Sequence, residues 1–216
     1  MSNKKRIINS IAFTLISIGF TLLVKFVDVA AIGPQNSSVG FSHINGWFHN
    51  IFKGNMTIYK ISELFGYVLL LLVVIYGCIG LCQLIKRKSL LKVDKEIIKL
   101  GVFYVLMLVV YVLFEKVEIN FRPILIEGTL EASYPSSHTI LSLCVGLSSL
   151  IVSQKYFNKK YIKLINGITI GLMVVVLLTR IISGVHWISD IVGGIITSLT
   201  LLSYFRLMYD WNNGEK

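Results

Sequence analysis

Charged residues are scarce in this chain. Asp, Glu, Lys and Arg make up 15% of its 216 residues, whereas soluble globular domains carry about 25%. Hydrophobic residues account for 55%, and the mean hydropathy is +0.75. A water-soluble fold needs enough polar side chains to keep its exposed apolar patches small. The composition lacks them, which excludes a soluble domain and indicates a surface that faces lipid.

Cysteine is also rare, and the three residues present, Cys78, Cys82 and Cys144, all fall within apolar stretches. Cys78 and Cys82 are one helical turn apart, a spacing that indicates neither a disulfide framework nor a zinc site. Burial among apolar neighbours is the ordinary state of such cysteines. No crosslink or structural metal is therefore expected.

The net charge of +10 raises the question of nucleic-acid binding, which requires clustered basic residues beside aromatic ones on a soluble face. In this chain the basic residues instead separate apolar stretches. We therefore expect the bilayer as a partner, and no nucleic acid. Because no repeat, low-complexity tract or soluble domain interrupts the pattern, residues 1–216 are interpreted as a single membrane-embedded domain.

Six apolar stretches are long enough, or nearly long enough, to cross a bilayer, which takes about 20 residues of α-helix. They are Ile7–Val27, Leu64–Ile85, Ile97–Phe114, Thr139–Val152, Leu164–Leu178 and Ile188–Phe205. The fourth and fifth are short and need flanking polar residues to complete them. The sequence predicts an all-α, polytopic membrane helical bundle of about six transmembrane helices.

The first stretch follows three basic residues at positions 4–6, a start that secretory signal peptides share. Its apolar core exceeds the roughly 7–15 residues of a signal peptide, and residues 29–31 make a poor cleavage site. We expect this stretch to remain as a membrane anchor.

Basic residues predict the orientation of the spans, because cytoplasmic connections carry an excess of Lys and Arg. With the amino terminus inside, the inner side holds most of the 21 basic residues. They are Lys4, Lys5, Arg6, Lys86, Arg87, Lys88, Lys92, Lys95, Lys99, Lys155, Lys159, Lys160, Lys163, Arg206 and Lys216. Both termini are therefore predicted to lie inside. The four histidines, His43, His49, His138 and His186, then fall on the outer side of the cell membrane.

The longest outer segment, Asp28–Glu63, is rich in aromatic residues. Trp47, Phe48 and Ile51 have a spacing that fits a short amphipathic helix in the membrane interface. An aromatic belt that anchors a loop would give the same composition. Either structure would hold the segment at the lipid headgroups.

Polar residues form three clusters near the outer ends of the spans. They are Glu115-Lys116 with Arg122-Pro123, then Tyr134-Pro135-Ser136-Ser137-His138, then Thr179-Arg180 with His186 and Asp190. His186 and Asp190 are four residues apart, so they share a face once the sixth span has begun. A carboxylate there can accept one ring proton of the imidazole and leave the other nitrogen free as a nucleophile or base. An ionisable residue near the start of a span is costly and is a functional candidate by default.

The second cluster opens the fourth span. Proline and serine there are ordinary helix-start residues, yet a helix start is also an anion site because its first N–H groups are free. His138, Ser142 and Gly146 lie on one stripe of this span, and small residues let membrane helices approach closely. The faces that carry His138 and His186 can therefore meet.

The arginines indicate which kind of ligand such a pocket would bind. Two histidines and Asp190 could hold a divalent metal, but Arg122, Arg180 and Lys116 would repel a cation. The planar fork of arginine suits phosphate oxygens. The clusters together predict a phosphate site.

These clusters resemble the three-part signature of the type-2 phosphatidic acid phosphatase superfamily, which includes lipid phosphate phosphatases and undecaprenyl-diphosphate phosphatases. The family pattern is Lys, six residues, Arg-Pro; then Pro-Ser-Gly-His; then Ser-Arg, five residues, His, three residues, Asp. This sequence departs from it in three places. Only five residues separate Lys116 from Arg122, and Glu115 stands at the family's lysine position. Ser137 replaces the glycine, and Thr179 replaces the serine.

The resemblance implies a metal-independent membrane lipid phosphatase with no cofactor and with its active site facing outside. His186 would be the nucleophile, Asp190 would orient it, and His138 would be the general acid and base. Arg122, Arg180, Ser136, the Ser137 backbone and Lys116 would bind the phosphate. Undecaprenyl diphosphate, phosphatidylglycerophosphate and phosphatidate all fit such a site.

Three other functions compete with this one. Vanadate-binding haloperoxidases share the signature but are soluble, which six spans argue against. A lipid phosphotransferase would use the same site and pass the phosphoryl group to an alcohol instead of water. A non-catalytic transporter or lipid-binding protein would need charge deep within several spans, whereas the charges here lie at span ends.

Overall fold

The structure, a computed structural model, describes residues 3–211. They form seven α-helices and two short 3₁₀ helices, Pro34–Asn36 and Leu90–Lys92. The α-helices are α1 (Asn3–Phe26), α2 (Ser42–Ile51), α3 (Met56–Arg87), α4 (Lys95–Val117), α5 (Ser137–Tyr156), α6 (Ile162–Ser183) and α7 (Ile188–Asp210). Lys216, assigned above to the inner side, lies outside the described residues.

Six of these helices, all except α2, are long and apolar enough to cross a membrane. They coincide with the six predicted stretches, so the all-α membrane bundle is confirmed. The two short stretches are completed as expected, because α5 begins at Ser137 and α6 runs from Ile162 to Ser183. Polar residues extend both helices, since a backbone in lipid must satisfy its own hydrogen bonds and helix is the simplest way to do so.

Helix α5 occupies the centre of the bundle and packs against α3, α4, α6 and α7. Its buried face consists largely of small residues, including Ser142, Cys144, Gly146 and Ser149. Small side chains let neighbouring backbones approach closely, which is how membrane helices associate when lipid provides no hydrophobic driving force. The large apolar residues of α1, α3 and α4 instead point outward, where they remain exposed at the surface of the bundle.

Helix α2 confirms the amphipathic interpretation of the Asp28–Glu63 segment. Its Ser42 and Asn45 side chains are buried, whereas Trp47 and Ile51 are exposed. The position of this helix in the membrane interface stays a prediction.

The basic residues gather at one end of the bundle. Salt bridges there join Arg6 of α1 to Asp210 of α7, and Lys155 of α5 to Glu96 of α4 at 2.6 Å. The six long helices alternate in direction, so the chain segments that carry histidines meet at the opposite end. The predicted separation of basic residues from histidines is therefore present, while the cytoplasmic identity of the basic end stays a prediction.

The loop after α1 folds back tightly against that helix. A Cβ atom added to Gly40 would lie 1.6 Å from the Val24 carbonyl oxygen. The Gly40 N–H also donates to Asn120 Oδ1 at 3.1 Å, which ties the loop to the segment that follows α4. Neither backbone can move away without breaking this contact.

We predict that Gly40→Ala lowers the stability of the bundle by about 2 kcal/mol or more, because the added methyl group overpacks a backbone contact. The midpoint of thermal unfolding in detergent measures the effect. Gly19→Ala is the control, since no atom lies within 4 Å of a Cβ placed at that position. Equal midpoints for the two variants would contradict the close approach.

Candidate active site

His186 lies in the short loop between α6 and α7, and its side chain is 1% exposed. Its Nε2 atom is 3.2 Å from Arg122 Nη1. A guanidinium group can only donate, so Nε2 accepts and the ring proton resides on Nδ1. Nδ1 in turn is 3.5 Å from Asp190 Oδ2. The predicted pair is thus present, and the ring presents the lone pair of Nε2 away from the carboxylate.

Asp190 is fully buried in the first turn of α7 and is held by several donors. Oδ2 accepts the Trp187 N–H at 3.1 Å, which caps the helix start. Oδ1 is 3.4 Å from Asn120 Nδ2. These contacts fix the carboxylate in one orientation; the His186 ring lies beside it, and its Nδ1 has no hydrogen-bond partner among the described residues.

Burial lowers the pKa of His186 well below its ordinary value of 6.5, and the charges of Arg122 and Arg180 lower it further. A cation is poorly solvated inside the protein and is repelled by neighbouring cations. The imidazole is therefore neutral at neutral pH, as a nucleophile must be.

His138 stands in the first turn of α5, against Gly66 of α3. A Cβ atom on Gly66 would lie 3.0 Å from His138 Cδ2, so glycine makes room for the ring. His138, Ser137 and His186 all line one cavity of about 470 Å³. The structure thus brings both histidines to one space, although they are far apart in the sequence.

Ser136 is fully buried and is not on the wall of that cavity. Its backbone N–H donates to the Asp190 carbonyl oxygen at 2.9 Å, and its hydroxyl accepts from Thr139 Oγ1 at 3.0 Å. The structure therefore uses Ser136 to join the start of α5 to the start of α7. Ser137 follows it on the cavity wall, where the first N–H groups of α5 are free of helical acceptors.

Arg122 and Arg180 both contact one aromatic ring. Their guanidinium carbons are 5.7 and 4.7 Å from the centroid of Tyr59. Arg180 is 0% exposed, and its three side-chain nitrogens have no well-aligned hydrogen-bond acceptor among the described residues, although Tyr59 and Glu63 interact with its charge. Buried charges are normally paired, so this arginine is prepared to bind an anion.

Arg122 is held by a small hairpin between α4 and α5. Its backbone N–H donates to the Glu131 carbonyl oxygen at 2.9 Å, and its Nε lies 2.9 Å from Glu131 Oε2. The indole of Trp187 donates to the Phe121 carbonyl oxygen at 2.6 Å, which fixes the hairpin on the loop that carries His186.

Lys116 is exposed on α4 and is not among the residues that line the cavity. Glu115 lines it instead. One residue turns an α-helix by about 100°, which separates the two side chains. Of the other predicted residues, Arg122, Ser137, His138 and His186 line the cavity, whereas the fully buried Ser136, Arg180 and Asp190 do not.

The sequence interpretation missed three residues of this region. Asn120 donates to Asp190 and accepts from Gly40, Tyr59 contacts both arginines, and Asn45 accepts the Ser189 N–H at 3.1 Å. None stands in a motif. Only Asn120, two residues before Arg122, has a position that could have drawn attention.

A family model described as the PAP2 superfamily matches residues 115–214, which include all three clusters. Phosphatidylglycerophosphatase B of Bacillus subtilis (strain 168) is 32% identical over 93 residues, or 42% of this chain and 44% of the relative. The aligned region thus spans less than half of that relative's length. The resemblance to the type-2 phosphatidic acid phosphatase superfamily is confirmed.

A crystal structure described as the first transmembrane PAP2 type phosphatidylglycerolphosphate phosphatase from Bacillus subtilis has a similar fold. The TM-score is 0.58 with 20% sequence identity, and the alignment covers 96% of this chain and 97% of that one. At this identity the likeness establishes the arrangement of the helices across almost the whole chain.

We predict that inorganic phosphate stabilises the wild-type protein but not Arg180→Met. An anion that binds only the folded state adds about 1.4 kcal/mol at ten times its Kd. Without phosphate, the variant should unfold at no lower temperature, because methionine removes an unpaired buried charge. Thermal unfolding with and without phosphate measures both effects.

Arg206→Met is the matched control, since Arg206 is exposed at the other end of the bundle. Its phosphate shift should equal that of the wild type. A shift that survives in Arg180→Met would contradict the assignment of Arg180 to the anion.

Proposed function

The carboxyl-terminal part of this chain, residues 115–214, belongs to the PAP2 superfamily, and on that premise we propose that the protein is a membrane lipid phosphatase. The observation that carries the proposal is the buried Arg180, whose guanidinium nitrogens meet no well-aligned acceptor among residues 3–211. It lies near a neutral histidine that a carboxylate orients. An anion site next to a nucleophile is what phosphoryl transfer requires.

His186 is the proposed nucleophile. Its Nε2 attacks the phosphorus, a P–N bond forms, and the bond from phosphorus to the lipid oxygen breaks. His138 gives its proton to that leaving oxygen. Asp190 stabilises the positive charge that develops on the imidazole, because its carboxylate is 3.5 Å from Nδ1 and both side chains are buried.

Water completes the reaction in a second step. His138, now neutral, takes a proton from water as the oxygen attacks phosphorus. The P–N bond breaks, its electron pair returns to His186, and inorganic phosphate leaves. Arg122, Arg180 and the first N–H groups of α5 stabilise the charge on the phosphoryl oxygens throughout.

A lipid substrate is supported by a second cavity beside the first. This apolar groove of about 260 Å³ lies between α3, α4 and α5 and is lined by Tyr67, Met107, Leu108 and Leu141. It shares His138 with the histidine cavity. A polar headgroup at His138 could therefore keep its hydrocarbon chain in the groove and in the surrounding bilayer.

Undecaprenyl diphosphate, phosphatidylglycerophosphate and phosphatidate are the candidate substrates. The name of the Bacillus subtilis relative supports phosphatidylglycerophosphate. We propose that the reaction takes place at the extracytoplasmic face, since the histidines lie at the end of the bundle opposite most of the basic residues. The whole chain is proposed to form one functional domain that needs no metal or cofactor.

Phosphate release by purified protein in detergent with a chelator tests this function. We expect the wild type to hydrolyse at least one of the three lipids, and His186→Ala to lose about 10³-fold or more in kcat, because the covalent step is lost. His43→Ala is the control, since His43 is exposed and pairs with Asp28.

Three outcomes would count against the proposal. Dependence on a divalent ion would contradict the metal-free mechanism. Full activity of His186→Ala would exclude the nucleophile. Consumption of the lipid only in the presence of an alcohol acceptor, with the phosphoryl group recovered on that alcohol, would indicate a phosphotransferase.

The pH dependence of kcat/KM should be bell-shaped, because His186 must be neutral and His138 protonated. Since the pKa of His186 is lowered, its neutral form persists as the pH falls past 6.5, so the acid limb should lie below that value. The basic limb should reflect loss of the His138 proton. Rates measured from pH 4 to 9 check this, with His43→Gln as a control of unchanged profile. A flat profile would contradict the pair.

A further inference from the structure

Carboxylates dominate the wall of the histidine cavity. Among the described residues, the ionised side chains that line it are Glu115, Glu118 and Glu131 with only one arginine, Arg122. Such a composition is unexpected in a site for a phosphate group, which carries negative charge itself. The positions of these charges within the cavity bear on which phosphate groups it can bind.

Glu131 directly opposes part of the positive charge. Its Oε2 is 2.9 Å from Arg122 Nε, and the Arg122 side chain is 9% exposed against 40% for Glu131. Arg122 therefore faces His186 with Nη1, while the positive charge on its Nε side is offset by Glu131. One phosphoryl group can be bound on the inner side of this arginine, and the outer side faces a carboxylate.

Glu115 and Glu118 place further negative charge at the end of α4. Glu115 is in its last turn and Glu118 is its C-cap, where the carbonyl groups of the helix already give a negative end. The one basic residue of that turn, Lys116, is not on the cavity wall. Another part of the wall is the start of α5, at Ser137 and His138, whose free N–H groups give a positive end.

The cavity is therefore polarised. Its inner part, at Arg122, His186 and the start of α5, attracts one phosphoryl group. The remainder, beside Glu115 and Glu118, repels any further negative charge attached to that group. Repulsion between charges a few ångströms apart at the edge of a membrane is strong, because the surrounding medium screens them weakly.

We propose that Glu115, Glu118 and Glu131 restrict the substrate to lipid phosphomonoesters and disfavour diphosphates. The proposal rests on the phosphatase function proposed above and narrows its substrate class. A monoester presents one phosphoryl group followed by an uncharged ester oxygen. A diphosphate would bring its second phosphate against the carboxylates.

A matched pair of lipids tests this directly. Dioleoyl phosphatidate and dioleoylglycerol diphosphate have the same chains and differ by one phosphate, as do a polyprenyl phosphate and its diphosphate. We expect kcat/KM of the wild type to be higher for the monoester of each pair by at least about tenfold, the ratio that one unfavourable charge contact produces. The product is inorganic phosphate in each case, so one assay serves all four lipids.

Charge-removing variants identify the residues responsible. The double variant Glu115→Gln and Glu118→Gln should raise kcat/KM for the diphosphate more than for the monoester and so reduce the ratio by several fold. Glu127→Gln is the matched control, since Glu127 is in the same connection between α4 and α5 but is not among the residues that line the cavity. Its ratio should equal that of the wild type.

The outcomes separate the two proposals. If folded wild-type protein hydrolyses neither member of either pair nor phosphatidylglycerophosphate, the phosphatase function fails. If it hydrolyses the diphosphates as well as or better than the monoesters, the phosphatase function stands and the restriction is wrong. A double variant whose ratio matches that of Glu127→Gln would also overturn the restriction by these glutamates.

Discussion

The charge of Arg180 is the constraint around which the histidine end of the bundle is organised. The side chain is fully buried, and a buried cation without a partner is costly in a medium that cannot solvate it. Tyr59 provides the face of its ring to Arg180 and to Arg122, which offsets only part of that cost. The part of the burial cost that is not offset favours a bound anion at Arg180. The neutral His186 lies near this arginine.

Backbone and amide contacts hold this charged centre in place. Asn120 connects the loop after α1 through Gly40 with the start of α7 through Asp190. The Ser136 N–H joins the start of α5 to the Asp190 carbonyl oxygen. Four separate chain segments are thus connected through Asn120 and Asp190, beside which His186 lies.

The membrane and the site require different side chains on the same bundle of helices: large apolar ones facing lipid, and small ones where helices approach. Lipid-facing surfaces of α1, α3 and α4 keep large apolar side chains outward, while α5 turns a face of small residues inward so that helices can approach. That close approach is what brings His138 against Gly66 and into the cavity shared with His186. The glutamates at the end of α4 then give this cavity a negative side, which bears on the substrates that can enter.

The sequence alone predicted about six spans, an interfacial helix or aromatic anchor in the Asp28–Glu63 segment, an excess of basic residues on the side opposite the histidines, and the proximity of His186 to Asp190. Each of these depends on hydropathy, charge or spacing along a short stretch of chain, and local patterns report such features directly. The three clusters also pointed to the PAP2 superfamily before any geometry was known. For Lys116 and Glu115, adjacent in the chain, spacing alone left open which one reaches the cavity.

Only the tertiary structure decided how the segments meet. In the structure Glu115, and not Lys116, lies on the cavity wall, and the Ser136 N–H donates to Asp190. Tyr59 and Asn120 also contact site residues, although neither stands in a motif. These outcomes depend on the rotation of α4 and on contacts between segments far apart in the chain. A sequence pattern records the period of each helix, but its rotation relative to its neighbours is set by packing across the whole bundle.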